Sequence, residues 1–88
     1  MSYLVDWTDD ALEPLAEIWL VGADREAINQ AQNKIDQQLS HDPFQGTRHL
    51  AEGLFAIDVF PLRAQFEVDE EKKIVTVVGV GRLSSEEI

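Results

Sequence analysis

The stretch LRAQFEVD, residues 62–69, alternates apolar and polar side chains along its whole length. Successive side chains of a β-strand point to opposite faces, so a period of two predicts a strand with one buried face and one face in water. The apolar side carries the leucine, the alanine, the phenylalanine and the valine, and the other side carries Arg63, Gln65 and Glu67. The pattern therefore places Arg63 on the uncovered face of a sheet.

Two further strands flank this one. Residues 54–60 place Phe55, Ile57 and Val59 on one side, and residues 74–80 are apolar on both faces, which is typical of an interior strand. Pro61 predicts a turn after the first of these strands, because proline cannot donate a hydrogen bond to a sheet. The polar residues 69–73 predict a hairpin connection. Together these segments predict an antiparallel meander of three strands.

The first half of the chain begins with a short predicted strand at residues 3–7 and then changes to a helical period. The apolar residues of the first helix are Leu12, Leu15, Ala16 and Trp19. We expect Asp10 to cap this helix, because Pro14 then lies in the first turn, where proline is tolerated. We expect Gly22 to end the helix in a left-handed conformation.

A second predicted helix runs from a cap at Asp24 to the break at Asp42-Pro43. Its apolar stripe is Ile28, Ala31, Ile35 and Leu39. The short connection between the two helices predicts an antiparallel helical hairpin. The predicted fold class is therefore α+β, with an N-terminal strand, an antiparallel helical hairpin and a three-stranded antiparallel meander forming one sheet.

The composition fits a single small domain spanning residues 1–88, with 44% hydrophobic residues to build its core. Cysteine is absent, which excludes disulfide bonds and thiolate metal sites. The first residues lack the basic and apolar regions of a signal peptide, and no apolar stretch approaches the roughly 20 residues that cross a bilayer. We therefore expect a cytoplasmic protein with no membrane association.

The chain is strongly acidic, with 17 Asp and Glu against 7 Lys and Arg and a net charge of −10. A surface this negative repels phosphate backbones at long range, which disfavours direct binding of nucleic acid. Solubility alone can explain this negative charge. It also indicates that any macromolecular partner is neutral or basic.

Three arginines in the second half of the chain are candidates for binding an anion. Arg63 is expected on the open side of the sheet, and Arg82, at the end of the neighbouring strand, could join it there, with Arg48 as a third contributor. Guanidinium groups bind phosphate and carboxylate through two parallel hydrogen bonds. The alternative is that Arg63 pairs with Asp58 or Glu67 on adjacent positions of the sheet, which is a common stabilising contact.

His49 is the candidate general base, because histidine titrates near neutral pH. The other histidine, His41, is eight residues away, and this spacing matches no known metal-ligand pattern. We therefore expect no metal and no cofactor.

Taken in order, several short segments resemble the RelE/ParE family of toxins, also described as plasmid stabilisation proteins. These segments are residues 7–11 before the helical hairpin, Ile35-Asp36 and Leu39 near its end, the break at Asp42-Pro43, Arg48 after a short loop, residues 61–69, and residues 77–82 at the end of the last hairpin. The resemblance covers nearly the whole chain. Each segment is degenerate, and the specificity lies in their order and spacing.

The resemblance implies a toxin of a type II toxin–antitoxin module that a small antitoxin protein neutralises by wrapping across it. RelE-like members cut messenger RNA in the ribosomal A site, and ParE-like members inhibit DNA gyrase. In the members that cut RNA, arginines stabilise the transition state, while lysines or a C-terminal tyrosine handle protons. Arg63 and Arg82 match the two family arginines in position.

The sequence departs from the RNA-cutting pattern at the groups that move protons. The residues after Arg82 read LSSEEI, without the tyrosine, and no lysine cluster precedes residues 61–69. Cleavage of RNA requires a group that deprotonates the 2′-hydroxyl and one that protonates the leaving oxygen, and His49 alone could serve. If the protein is an enzyme, it is a ribonuclease in which Arg63, Arg82 and His49 are catalytic and Arg48 binds.

Three hypotheses follow from the sequence. The first is a RelE/ParE-like toxin, or a protein derived from one, that acts by binding a protein such as gyrase. The second is a ribosome-dependent messenger RNA endoribonuclease. The third is a non-toxic interaction module without an antitoxin. An exposed sheet edge would also permit a homodimer.

Overall fold

The computed structural model describes residues 2–83 and contains two helices and a five-stranded mixed sheet. In chain order the elements are β1 (Leu4–Trp7), α1 (Asp9–Val21), α2 (Arg25–His41), β2 (Arg48–Ala51), β3 (Leu54–Val59), β4 (Leu62–Asp69) and β5 (Ile74–Arg82). The strands lie in the order β1-β5-β4-β3-β2. β1 is parallel to β5, and all other neighbours are antiparallel.

The predicted α+β class is confirmed, but the meander has four strands rather than three. The additional strand, β2, is four residues long, and all four are exposed. Because none of its side chains is buried, it shows no alternation that could have identified it. β5 lies between β1 and β4, as its apolar character on both faces predicted.

α1 begins two residues earlier than expected. The carbonyl of Thr8 accepts hydrogen bonds from the backbone nitrogens of Ala11 and Leu12 at 3.0 and 2.9 Å, so Thr8 rather than Asp10 is the cap residue. The Thr8 hydroxyl donates to the carbonyl of Val77 at 2.7 Å and thereby attaches the start of the helix to the sheet. Pro14 therefore lies in the second turn of the helix, and the expectation that it lies in the first is wrong.

Gly22 follows the last residue of α1, but its backbone is extended, with φ −80° and ψ 143°. The predicted left-handed cap is therefore wrong. A Cβ atom at this position would lie 2.9 Å from the carbonyl oxygen of Ile18 and 3.1 Å from the side chain of Ile28. Glycine is required here because the last turn of α1 and the Ile28 side chain of α2 both approach closely, and not because of a positive φ.

Both helices pack on the same face of the sheet, α1 mainly on β5 and α2 on β3, β1 and β4. The core lies between the two layers. Its buried residues are Ala11, Leu15, Ile28, Ala31, Ile35 and Leu39 from the helices and Ile57, Leu62, Ala64, Phe66, Val75 and Val77 from the sheet. The opposite face of the sheet, called the open face below, carries Arg63, Gln65 and Glu67, as the alternation of β4 predicted.

Candidate functional site

Arg48 and Arg63 converge on one carboxylate, that of Asp58, on the open face. Arg63 donates from Nε to Oδ1 of Asp58 at 2.8 Å and from Nη2 to Oδ2 at 3.2 Å. Arg48 donates from Nη2 to the same two oxygens at 3.2 and 3.3 Å. The sheet creates this cluster because Asp58 is directly opposite Arg63, while Arg48 is opposite Ala56, two residues from Asp58 on the same face.

The two guanidinium groups hold Asp58 in its charged form. The hydrogen bond from Arg63 is the main cause that lowers the pKa of the Asp58 carboxyl; partial burial opposes it, and the charge of Arg48 adds to the lowering. An external phosphate would therefore have to compete with a carboxylate that is attached to the same sheet. The alternative considered for Arg63, pairing with Asp58, is the arrangement found.

Arg82 does not join this cluster. It is paired with Leu62 in the register of β4 and β5, and Leu62 is fully buried beneath the helices. Its Nη2 donates to Oδ2 of Asp24, the residue before α2, at 2.9 Å. This hydrogen bond is the main cause that lowers the pKa of the Asp24 carboxyl. The expectation that Arg82 and Arg63 share the open face is wrong.

A β-bulge in β5 is the reason for the position of Arg82. Phe66 pairs with Val77 and Gln65 pairs with Gly79, so Val78 has no partner on β4. An extra residue in one strand reverses the alternation of every side chain beyond it. Simple alternation from the buried Val75 and Val77 would put Arg82 on the open face, and the bulge moves it to the helix-facing side.

His49 lies in β2 opposite Phe55, and its ring is 5.1 Å from the Phe55 ring between centroids. Phe55 in turn stacks on the buried Phe66 at 5.7 Å. His49 therefore lies on the helix-facing side of the sheet, away from Arg63 and Arg48. It is also remote from Arg82, because β2 and β5 are separated by two strands. Of the four predicted site residues, only Arg48 and Arg63 come together.

A second candidate surface is an apolar groove on the outer side of the helical hairpin, with a volume of about 480 Å³. Its lining residues are Leu12, Leu15, Ala16, Trp19, Leu20, Ile28, Asn29 and Gln32. The predicted stripe of α1 includes Leu12, which is exposed, and leaves out Leu20, which is exposed as well. The signal that could have revealed the groove is Leu20, an apolar residue four positions after Ala16 that continues the row of Leu12 and Ala16 along the helix.

No group of three or more residues suited to holding a metal ion occurs among residues 2–83. In the same part of the chain, neither helix combines the length and apolarity that a membrane crossing requires.

The sequence matches no protein-family model and no curated protein. Solved structures do match. A chain of the toxin–antitoxin complex RelBE2 from Mycobacterium tuberculosis superimposes with a TM-score of 0.78 at 19% identity, covering 93% of this chain and 92% of that one. A mutant of the E. coli toxin RelE in the free state gives 0.71 at 21% identity, covering 99% and 90%.

The chromosomal ParDE toxin–antitoxin system of P. aeruginosa also matches, with a TM-score of 0.67 at 19% identity, covering 94% of this chain and 98% of that one. Structures of both the RelE and the ParE type are thus similar over nearly their full length. Identities this low establish the fold and nothing further. The chain has the RelE/ParE-type toxin fold that the sequence resemblance implied.

Proposed function

We propose that the protein is the toxin-type partner of a toxin–antitoxin pair and that it acts by binding another protein rather than by cutting RNA. The fold supports the first part, because the structures it resembles are toxins and toxin–antitoxin complexes. A small antitoxin protein is the corresponding partner.

The separation of Arg63 from Arg82 is the observation that carries the second part. Stabilising the transition state of phosphoryl transfer requires donors that converge to about 3 Å from the developing charge. Arg63 and Arg82 lie on opposite faces of the sheet, and each donates to a carboxylate of the protein. His49, the candidate base, lies on the face away from Arg63. The groups needed for cleavage therefore do not share one site.

The net charge of −10 supports the same conclusion. Messenger RNA and the ribosome present dense phosphate charge, which an acidic surface repels. A protein target avoids this penalty, and gyrase is the target that the ParE resemblance suggests.

The second candidate function is a ribosome-dependent messenger RNA endoribonuclease. It is favoured by the convergence of Arg48 and Arg63 within hydrogen-bond distance of one anionic group, Asp58. In this function a phosphate of the RNA would take the place of the Asp58 carboxylate, and Arg82 would have no catalytic part.

Inducible expression in a bacterial host, with growth as the readout, tests the proposal. We expect growth arrest that persists in the double variant Arg48→Ala/Arg63→Ala, because neither side chain belongs to the core. We also expect that the purified protein leaves messenger RNA intact in a purified translation reaction and inhibits supercoiling by gyrase.

The purified double variant should first be shown to unfold cooperatively at the temperature of the unmodified protein. Glu52→Gln/Glu71→Gln, which changes two exposed side chains elsewhere, is the matched control. Arrest that disappears with Arg48 and Arg63, together with loss of messenger RNA cleavage, would establish the second candidate function. Absence of arrest in every variant would reject toxicity and favour a non-toxic interaction module.

A further inference from the structure

We infer that Asp58 is a specificity-determining residue that occupies the place of an external oxyanion between Arg48 and Arg63 and so keeps phosphate groups off the open face. Replacing this one carboxylate with a neutral side chain creates a phosphate-binding site from the two arginines. This role follows from the cluster alone and does not rest on the proposed function.

The cluster has the geometry of an occupied oxyanion site. Arg63 makes a two-point contact with Asp58, from Nε to one oxygen at 2.8 Å and from Nη2 to the other at 3.2 Å. Arg48 reaches the same two oxygens from the opposite side of β3, at 3.2 and 3.3 Å. A guanidinium group binds carboxylate and phosphate through the same planar arrangement of donors, so phosphate oxygens could accept these hydrogen bonds equally well. The Asp58 carboxylate therefore has the position of a ligand.

Asp58 competes effectively because the sheet holds it in place. It lies on β3, between the two strands that carry the arginines, and its register partner is Arg63. A group on a short flexible tether already acts at an effective concentration on the order of 1 mM, and a fixed register raises this value further. An external oxyanion has to exceed this concentration and must also approach a chain with a net charge of −10.

The two arginines do not depend on Asp58 for their place in the fold. Because β3 separates β2 from β4, their backbones are about 10 Å apart. The side chains of Arg48 and Arg63 are 53% and 37% exposed, so water can solvate both charges. Neutralising Asp58 therefore leaves two exposed guanidinium groups that an external anion can bring together.

The surroundings of the cluster leave room for a ligand and add no nearby acid along β4. The residue opposite Arg63 on β5 is Gly81, and a Cβ atom built there would have no atom within 4 Å. The next acidic residue of the open face on β4 is Glu67, four residues from Arg63 or about 13 Å along the strand. This distance exceeds the screening length of about 8 Å at physiological ionic strength. Without the Asp58 charge, the local potential is therefore set mainly by the two arginines.

Titration of the purified full chain with inorganic phosphate, at constant ionic strength, tests this role. Chemical shifts of the backbone amides and of the arginine Nε–H groups report both the affinity and the place of binding. We expect Asp58→Asn to bind phosphate at least about tenfold more tightly than the unmodified protein. The shifts should be concentrated at residues 48, 58, 63 and 81.

Matched variants separate competition by Asp58 from a general loss of negative charge. Glu67→Gln removes one charge from the same face of β4, and we expect it to change phosphate affinity by less than about twofold. Arg48→Ala or Arg63→Ala, each combined with Asp58→Asn, should weaken the new binding by about tenfold. Thermal unfolding of each variant shows that it is folded, and Asp58→Ser is the substitute if Asp58→Asn does not fold.

Equal phosphate affinity of the unmodified protein and the Asp58→Asn variant would overturn the inference. If both bind tightly, Asp58 does not exclude phosphate, and the second candidate function gains support. If neither binds, Asp58 only neutralises its two neighbours. An equal gain from Glu67→Gln, or shifts outside the cluster, would also overturn it.

Growth on expression of the unmodified protein tests the proposed function separately. A gain of phosphate binding by Asp58→Asn, without growth arrest by the unmodified protein, would leave the inference standing and reject the proposed function. Growth arrest without a gain of phosphate binding would do the reverse.

Discussion

At the scale of single residues, Asp58 controls what Arg48 and Arg63 can bind. Its two carboxylate oxygens accept hydrogen bonds from both guanidinium groups, and its side chain is 36% exposed. A partly exposed pair of this kind contributes little to the free energy of unfolding because water and salt screen it. Its larger effect is on chemistry, since its negative charge and its hydrogen bonds to both guanidinium groups compete with an external anion.

We expect Asp58→Asn to lower the free energy of unfolding at neutral pH by about 0.5–1 kcal/mol. The folded-state pKa of Asp58 is lowered, so its contribution is present above the unfolded-state pKa of about 3.9 and is lost as the pH falls through the folded-state pKa. Urea unfolding of both proteins between neutral pH and about pH 3 checks this. The difference between them should shrink in acid, and a difference that grows in acid would contradict the assignment of the shift to Arg63.

At the scale of elements, the bulge at Val78 and the ion pair of Arg82 with Asp24 act together. The bulge places the Arg82 side chain on the helix-facing side of β5, and the ion pair then joins the end of this strand to the start of α2. The side chain of Asp24 makes no capping hydrogen bond to α2, although Asp24 occupies the cap position that was predicted for it. Its carboxylate binds Arg82 instead, so the residue connects two elements rather than stabilising one.

We expect Arg82→Ala and Asp24→Ala each to lower the melting temperature by a few degrees, because each removes the same contact between β5 and α2. The double variant should melt close to either single variant, since the second substitution has no contact left to remove. Thermal unfolding followed by circular dichroism measures all four proteins. Additive decreases in melting temperature would mean that the two side chains act independently. Asp9→Ala, in the exposed first turn of α1, is the control for the loss of a charge.

At the scale of the whole molecule, the excess of acidic residues acts against the compact state. A net charge of −10 on a chain of 88 residues makes the carboxylates repel one another more in the folded form than in the expanded unfolded form. The described part of the chain offsets this with few ion pairs, and most of these join exposed side chains. Screening should therefore stabilise the fold.

We expect the free energy of unfolding to rise by on the order of 1 kcal/mol when sodium chloride is raised from about 10 mM to about 300 mM at neutral pH. Urea unfolding at several salt concentrations measures the change. A fall over this range would show that the local ion pairs outweigh the repulsion. The variant Glu52→Gln/Glu71→Gln, with two fewer charges, should show a smaller rise.

The local pattern of apolar and polar residues was sufficient to predict most of the helices and strands. The stripe of α2, the alternation of β4 and the apolar β5 each reflect burial on one side of a regular element, and that burial imposes a period on the sequence itself. The break at Asp42-Pro43 and the turn at Pro61 follow from the missing backbone N–H of proline. The strand β2 was not predicted, because an exposed strand of four residues carries no such period.

The sequence by itself determined the α+β class, the two helices, three strands of the meander and the position of Arg63 on the open face. Only the tertiary structure decided that Arg82 faces the helices, that Asp24 is its partner 58 residues away, and that Leu12 and Leu20 border a groove. The physical reason is that periodicity records which side of an element is buried, whereas a bulge, a register and a distant partner arise only when separate segments pair. A single unpaired residue, Val78, was enough to move a predicted catalytic side chain to the other face of the sheet.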